Sequence, residues 1–555
     1  MYVGIDLGTT HSAIAVLSDG EVTLIKNIHG DYLTPSVVGI SDNGEWLVGK
    51  TASERLVTHP DKTVAEFKRY MGSQKRFRLS DQSLTPEELS AIVLKSLKED
   101  IERSLGKTIT EAVISVPAYF NNQQRQATFN AAKLANIKVE RLINEPSAAA
   151  LAYSLQEQTK AEATYMIVDL GGGTLDISVI EVMDSIIEIH ASAGDNYLGG
   201  ANFTDAIVDQ ILKQWQLNEN QLSSVEKSKL LSLSEAAKRK LSSTEKTTIN
   251  VYIQKKLHQY ILTRDNFEKM CKHLIDKLRR PILRALQDSR IEISELSGVI
   301  LVGGATRMQL IRSQIAKLSS QLPMTQYSPD LAIAMGTAIQ ANLKSQNQSL
   351  SDIIMTDVCP YTLGVEIHNE TNHPEFLPII ERNNTIPISR SRTVYTKHPD
   401  QKQVNIRVFQ GESFNPKDNV FLGKMIIDLP KSNKIEEIIL TYTYDINGVL
   451  EVESTIMSSN RKDKIYLQND NQLTEMQLAT WSAQLEKLKT LPKDQEKNIA
   501  LLHKLERLFE ENLGETRTYI SNMIQKLTLS LDTHDHSNVE NTVQQIQQEL
   551  QKLEQ

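Results

Sequence analysis

Gly4-Ile5-Asp6-Leu7-Gly8-Thr9-Thr10 opens the chain, and Val168-Asp169-Leu170-Gly171-Gly172-Gly173-Thr174-Leu175-Asp176 repeats its theme far downstream. Each stretch reads as a β-strand ending in an acid, a glycine turn with hydroxyls, then a second strand, Ser12 to Leu17 or Ile177 to Ile180. Glycine lets backbone N–H groups come close to an anion, and a turn of such amides is an anion-binding nest. The threonine hydroxyls add hydrogen bonds to phosphate oxygens, and the aspartates supply the hard oxygen ligands that hydrated Mg²⁺ prefers. One such turn alone is more often an ordinary hairpin. Two copies with the same Asp-x-Gly-x-Thr grammar, facing each other across a cleft, would clamp a nucleotide's phosphates between two lobes. That is the pattern of an ATPase.

The bulk numbers fit such a protein. At 555 residues the chain should hold several domains, because single cores rarely grow past about 250–300 residues. A composition of 40% hydrophobic and 23% charged residues is that of a soluble globular protein. A net charge of −8 argues against nucleic acid or an anionic membrane as the main partner. Cys271 and Cys359 lie too far apart in sequence for a metal knuckle, which fits a reducing compartment without a structural disulfide. The first strand starts at Tyr2, no room is left for a targeting peptide, and no apolar run reaches membrane-spanning length. A cytoplasmic address is expected.

Up to about Gln348, apolar strands alternate with amphipathic helices: Ala112–Val116, Thr164–Asp169 and Gly298–Val302 as strands, Asn122–Leu134, Ser224–Lys240 and Arg307–Leu318 as helices. The polar stretch Lys344–Asp352 then runs into Ile353-Ile354-Met355-Thr356-Asp357-Val358. From Tyr361 to Leu467 the pattern becomes short alternating strands, among them Gln403–Phe409, Ile438–Asp445 and Val449–Ser454, broken by turns such as Asn447-Gly448. From about Gln472, apolar residues fall at helical spacing (Ile499, Leu502, Leu505, Phe509, Leu513; then Val539, Val543, Ile546, Leu550, Leu553). The expected division is an ATPase domain over 1–350, a linker over 351–358, a β domain over 359–468 and a helical appendage over 469–555. One motif is a decoy. Gly44-Glu45-Trp46-Leu47-Val48-Gly49-Lys50-Thr51 matches the P-loop pattern letter for letter. A P-loop must follow a buried strand and cradle phosphate with small residues, whereas Trp46-Leu47-Val48 reads as a strand itself.

Taken together, Gly4–Thr10, Val116-Pro117-Ala118-Tyr119-Phe120-Asn121, Ile143-Asn144-Glu145-Pro146-Ser147, Asp169–Asp176, Leu301–Arg307, Asn383-Asn384-Thr385-Ile386-Pro387 and Gln410-Gly411-Glu412 resemble the 70-kDa heat-shock chaperone family, DnaK type, nearly end to end. The resemblance implies an actin-like, two-lobed α/β ATPase domain, then an all-β sandwich that holds unfolded peptide, then a short α-helical lid. The shorter lid, and segments missing between Phe77 and Leu84 and between Ser243 and Leu262, suggest a specialised bacterial, HscC-like branch.

Family likeness implies roles residue by residue. Gly8, Thr9, Thr10 and the amides of Gly171, Gly172 and Gly173 would hold the β- and γ-phosphates of ATP or ADP, with Asp6 and Asp169 holding hydrated Mg²⁺. Lys68 would sit beside the γ-phosphate; alone, such a lysine is usually a solvated surface charge. Glu145 would orient the attacking water; its bland reading is a helix first-turn acid. Thr174 and Asp176 complete the water and metal network. On the adenosine side, Gly303, Gly304 and Ala305 allow close approach of the base, Arg307 can stack on it, a helix over Ser234–Ser242 would present Glu235, Lys238 and Ser242 on one face for the ribose and adenine, and Asp330 fits the remaining contact. In the β domain, Val365, Val394, Val404 and Ile406 would surround the peptide pocket, though alternating β-branched residues are usually plain sheet core. Here His368 and Lys397 stand where the family has small or apolar residues arching over the groove. Pro117, Arg125, Arg141, Ile354 and Asp357 match positions that couple the domains, and Arg141, Asn144 and Asp357 match those that receive a J-domain partner.

The partners implied are client polypeptides and a J-domain co-chaperone; the short Ser243–Leu262 region leaves an exchange factor uncertain, and the chain is expected to be monomeric. Two other readings stay open. A regulatory relative could bind nucleotide and one fixed partner without general folding activity. A small-molecule kinase of the actin/hexokinase superfamily would share the clamp, but neither the β domain nor the linker.

Overall fold

The strand Tyr2–Asp6 sits at the centre of the first sheet. It pairs in parallel with Glu111–Val116, which pairs in parallel with Val139–Asn144, and antiparallel with His11–Ser18, which pairs with Glu21–Leu24. The second sheet repeats the plan: Gly298–Val302, Glu162–Leu170, Leu175–Met183, Ile186–Asp195 and, at its far edge, Ile354–Met355. The structure is a computed structural model, and it describes all residues except 19, 110, 157–161, 184–185, 325–327, 344–353, 370, 447, 468–491, 512–513, 534 and 554–555. The expectation for Ile353 and for the start of the appendage, 469–491, therefore falls outside the described residues.

Two helices fill the centre of this first unit. Glu145–Gln156 and Ala332–Leu343 are rich in small residues, which lets backbones meet: a Cβ on Gly336 would fall on the Ala148 carbonyl, and one on Gly4 on the Ala338 amide. Their side chains share a core with Ile143, Ile167, Ile300 and Val302, so both strand–turn hairpins hang from one packed centre.

Local rules explain most element ends. Asn121 caps Asn122–Leu134 and Ser223 caps Ser224–Lys240, each with a reciprocal side-chain bond from the third helical residue. The segment expected as helix Arg307–Leu318 instead begins as a tight turn over Gly304–Arg307, and the helix runs Gln309–Ser319. Gly303, at φ +81°, turns the chain sharply after the buried strand, and Met308 is extended before the helix starts. The two places that look shortened are closed by tight hairpins, Phe77–Leu79 with Gln82–Leu84 and Lys246–Ile253 with Lys256–Thr263. The P-loop look-alike is disposed of: Trp46–Val48 pairs with Val37–Ile40, and Lys50 makes an exposed ion pair with Asp31.

The chain divides at Pro360: Met1–Pro360 is one unit and Tyr361–Gln555 the other, so the described part of the expected linker, 354–358, belongs to the first. The second unit holds two four-stranded antiparallel sheets, Pro374–Ile380, Leu363–His368, Gln403–Gln410, Val420–Asp428 and Ile388–Tyr395, Glu437–Tyr444, Leu450–Ile456, Arg461–Leu467. The buried Tyr442 hydroxyl donates to the Gly364 carbonyl and ties one sheet to the other. Among the described residues three helices follow, Glu496–Glu511, Gly514–Asp532 and His536–Leu553, around Leu505, Ile520, Leu527 and Ile546. They grip the strand Ile388–Tyr395: His536 Nδ1 accepts from the Ser391 amide at 3.0 Å, and Arg392 and Arg390 pair with Asp535 and Glu540. Among the described residues, no helix is long and apolar enough to cross a membrane.

Candidate functional site

The two hairpins meet. A Cβ on Gly172 would fall inside the Thr10 side chain, and one on Gly173 would lie 2.6 Å from Arg69 Cγ and 3.0 Å from Thr9 Cγ2. Only glycine lets the second turn come this close to the first, which leaves the Gly172 and Gly173 amides for an anion, while the Gly171 amide, expected among them, is already engaged. The second turn is braced from behind: Gly171 N–H donates to the Thr174 carbonyl, and the Gly171 and Gly172 carbonyls accept from Gly200 and Ala201. The first is braced by Ser36, whose hydroxyl donates to the Gly8 carbonyl at 2.7 Å.

Beneath the turns lie Asp6, Asp169, Asp176, Glu145 and Lys68, all buried. The register explains three of them, since Asp6 ends its strand and Asp169 is the direct cross-strand partner of Asp176. Asp6 accepts from the Ser115 hydroxyl at 2.7 Å, and Asp176 Oδ1 from the Tyr119 amide at 2.9 Å. Asp169 Oδ2 and Asp176 Oδ2 are buried with no hydrogen-bond partner. Burial, then the neighbouring Glu145 charge, pushes Asp6 and Asp176 each up to about 7. Burial also raises Asp169 far above the ordinary carboxylate range, helped by Glu145, Asp176 and Asp6. So much unsatisfied negative charge in one place calls for a cation. Among the described residues no group of three or more His, Cys, Asp or Glu side chains is placed to hold a metal ion directly. Lys68 is spoken for: its ammonium donates to Glu145 Oε1 at 2.9 Å and lies over the Phe120 ring.

The residues expected on the adenosine side gather around the same turn. Gly303 backs onto Asp169 and Leu170, with an added Cβ 2.6 Å from Asp169 Oδ1. Arg307 is held by Asp330, its Nε 2.9 Å from Oδ2, and its side chain stays half exposed. Lys238 donates to the Gly200 carbonyl at 2.7 Å and to Thr204 Oγ1 at 2.9 Å, and pairs with Glu235. Burial alone would raise Glu235, but Lys238, Thr204 and Arg239 outweigh it and bring the carboxyl down to about 2. Ala305 lies against Gly200, 3.2 Å from where its Cβ would be. Ser242 departs from expectation: the helix ends at Lys240, so Ser242 sits in the following turn, its N–H on the Arg239 carbonyl, and not on one helix face with Glu235 and Lys238.

Sequence reading missed Arg69, Ser115, Tyr119, Asn196 and Thr204. Arg69 crosses from the first lobe to the Tyr197 carbonyl and Asn202 Oδ1 at 3.4 and 3.3 Å, and Asn196 donates to the Tyr119 carbonyl at 2.8 Å. Their residue types are ordinary, and only adjacency to Lys68 or to the Val116–Asn121 stretch could have pointed to two of them.

Beside the acids lies a polar network joined to the linker. Arg125 donates to the Phe120 and Ala118 carbonyls and, at 2.6 Å, to Asn144 Oδ1. Asn144 and Ser147 donate to Asp357 Oδ2 at 2.7 and 3.2 Å. Asp357 is buried and raised by that burial, and Arg141 is lowered by its own, with Asp357 pulling back. Pro117 is buried, its carbonyl accepting from Phe120. Ile354 and Met355 pair in parallel with Ile186 and Ile187, and Thr356 N–H reaches the Ile187 carbonyl.

In the second unit, the four expected groove residues do not share one open surface. Val365 and Ile406 are buried in the sandwich core, Val404 and Val394 are half-buried, and Val394 belongs to the other sheet.

The family model described as Hsp70 protein matches residues 2–78 and 75–555, essentially the whole chain. The chain belongs to the Hsp70 family.

Proposed function

We propose that this protein is an ATP-driven chaperone that binds apolar segments of unfolded or specific client polypeptides and changes its grip on them as ATP is bound and hydrolysed. The family's members are chaperones and ATPases. One observation carries the reading for this chain. Glu145, in the acid cluster, follows directly on Asn144, which holds Asp357 of the linker. A change in position at the phosphates is thus passed by one peptide bond to the segment leading to the client domain.

Hydrolysis of a phosphoanhydride needs positioning and charge stabilisation more than covalent chemistry. The turns of Gly171–Gly173 and of Thr9 and Thr10 would hold the β- and γ-phosphates; Asp6, Asp169 and Asp176 would hold Mg²⁺ through water. Bound there, the ion neutralises phosphate charge. Lys68 pins Glu145 and keeps it aimed, so that Glu145 can orient a water. Asp330 sets the Arg307 guanidinium as a plane for the base, and Lys238 with Glu235 fixes Gly200 behind the phosphate turn.

The remaining assignments belong to the same proposal: an actin-like first unit, the terminal helices as a lid, a J-domain partner at Arg141, Asn144 and Asp357, an HscC-like branch supported by the two tight hairpins, and a bacterial cytoplasmic address. The test is ATP turnover by the full chain, with and without Mg²⁺ and an apolar peptide panel. Mg²⁺-dependent hydrolysis that apolar peptide accelerates is expected. Turnover indifferent to every peptide, and to a J-domain protein, would favour a regulatory relative with one fixed partner.

A further inference from the structure

The client-binding reading leaves open what kind of segment the sandwich takes, and two loop tips in the second unit bear on that. The strand holding Val365 turns back through Asn369–His373, and the chain between Val394 and Val404 passes through Lys397 and Gln401. The tips are joined by one side-chain bond, in which the Lys397 ammonium donates to Asn372 Oδ1 at 2.6 Å. Each end is built in place. Asn369 Oδ1 accepts from the Thr371 and His373 amides, and Gln401 accepts from the Lys397 amide while donating to the Gln403 carbonyl next to Val404.

The partner of Lys397 is an amide, so its charge is not cancelled. Nearby carboxylates are engaged elsewhere: Glu366 pairs with Arg407 at 2.6 Å and lies 4.0 Å from His368, and Glu375 accepts from Asn369 at 2.6 Å. Asp400 is exposed and, among the described residues, forms no ion pair with Lys397. An exposed ammonium held by a neutral amide thus stands at the loop tips, in the segment that joins the strands of half-buried Val394 and Val404.

We propose that this chain prefers extended polypeptide segments in which an apolar anchor is flanked by Asp or Glu, the carboxylate displacing or joining Asn372 on Lys397. The inference rests on the client-binding reading of the sandwich. An exposed ion pair gains little and is screened by salt, so the expected preference is modest, about fivefold to tenfold between acidic and basic flanks at low ionic strength.

The test is fluorescence anisotropy of the full chain with three labelled peptides sharing a Leu-Leu-Leu centre, flanked by Asp, Ala or Lys. Affinity should fall in the order Asp, Ala, Lys and compress at high salt. Lys397→Gln should flatten the order and Lys397→Glu should invert it. Equal binding of all three by wild type, or an order unchanged in Lys397→Gln, overturns this inference while the client-binding reading stands. If the Ala-flanked peptide fails to bind at all, the client-binding reading falls, and this inference with it.

Discussion

Asp169 and Asp176 face each other across one hairpin, each with a buried oxygen that nothing satisfies. That arrangement is costly in an empty protein and useful in a loaded one. Removing Lys68, Glu145 or the Asp169 charge should therefore damage turnover far more than nucleotide binding, because the turns and the adenosine-side residues remain. Lys68→Ala, Glu145→Ala and Asp169→Asn should each slow single-turnover hydrolysis by about a hundredfold or more, roughly 3 kcal/mol in barrier. Rates within about threefold of wild type would contradict the assignment. The same acids set a pH dependence. The folded-state values near 7 for Asp6 and Asp176 lie above the ordinary value of about 4, so between those limits the folded chain binds more protons than the unfolded one. Their contribution to stability is then full below about pH 4 and is lost as pH rises through 7. Mg²⁺ bound at the cluster would take the place of those protons. The thermal shift produced by Mg²⁺ and ADP should therefore be larger at pH 8 than at pH 5.5, by at least about 3 °C. A shift of equal size at both values would count against the cluster as the cation site.

The hairpins work only because the elements behind them pack backbone to backbone. Gly336 meets the Ala148 carbonyl with no room for a Cβ, so Gly336→Val should cost at least about 2 kcal/mol of stability in denaturant titration. A loss under about 0.5 kcal/mol would mean that the helices slide apart freely. At this scale, too, the limits of the sequence become physical. Helix Asn122–Leu134 was legible to the residue because Asn121 and Gln124 cap each other locally. The turns around Asp6 and Asp169 were legible because glycine spacing is a local demand of the backbone. Ser242 was misplaced because helix periodicity carries no mark of where the last turn frays. The burial of Val365 and Ile406 was not legible, because a β-branched alternation looks the same facing a client or facing another sheet. Arg69, Asn196 and Thr204 stayed invisible, since each acts through a partner more than a hundred, or several tens of, residues away in fold-dependent positions.

For the whole molecule, the linker is the element that matters. Nothing in its sequence names Ile186 and Ile187 as its strand partners or Asn144 as the donor to Asp357; those pairings exist only once the first unit has folded. Among the described linker residues, Ile354 and Met355 pair with a sheet edge and Asp357 is held by side-chain donors, and an element held so can be released at modest cost, as a switch requires. Asn144→Ala would strip the buried Asp357 carboxylate of one donor, a loss of about 1–3 kcal/mol in the docked form. The expected result is ATP affinity close to wild type, with the ATP-driven acceleration of client release reduced by about tenfold. Unchanged acceleration would mean that the signal travels elsewhere. The central claim, that ATP at the acid cluster controls client binding, is tested most directly by stopped-flow release of a fluorescent apolar peptide from the full chain, with and without Mg²⁺ and ATP. The account predicts release at least about tenfold faster on adding both, and no acceleration with ATP alone in excess chelator. Release at the same rate in all conditions, from a protein that binds ATP and peptide, would contradict it.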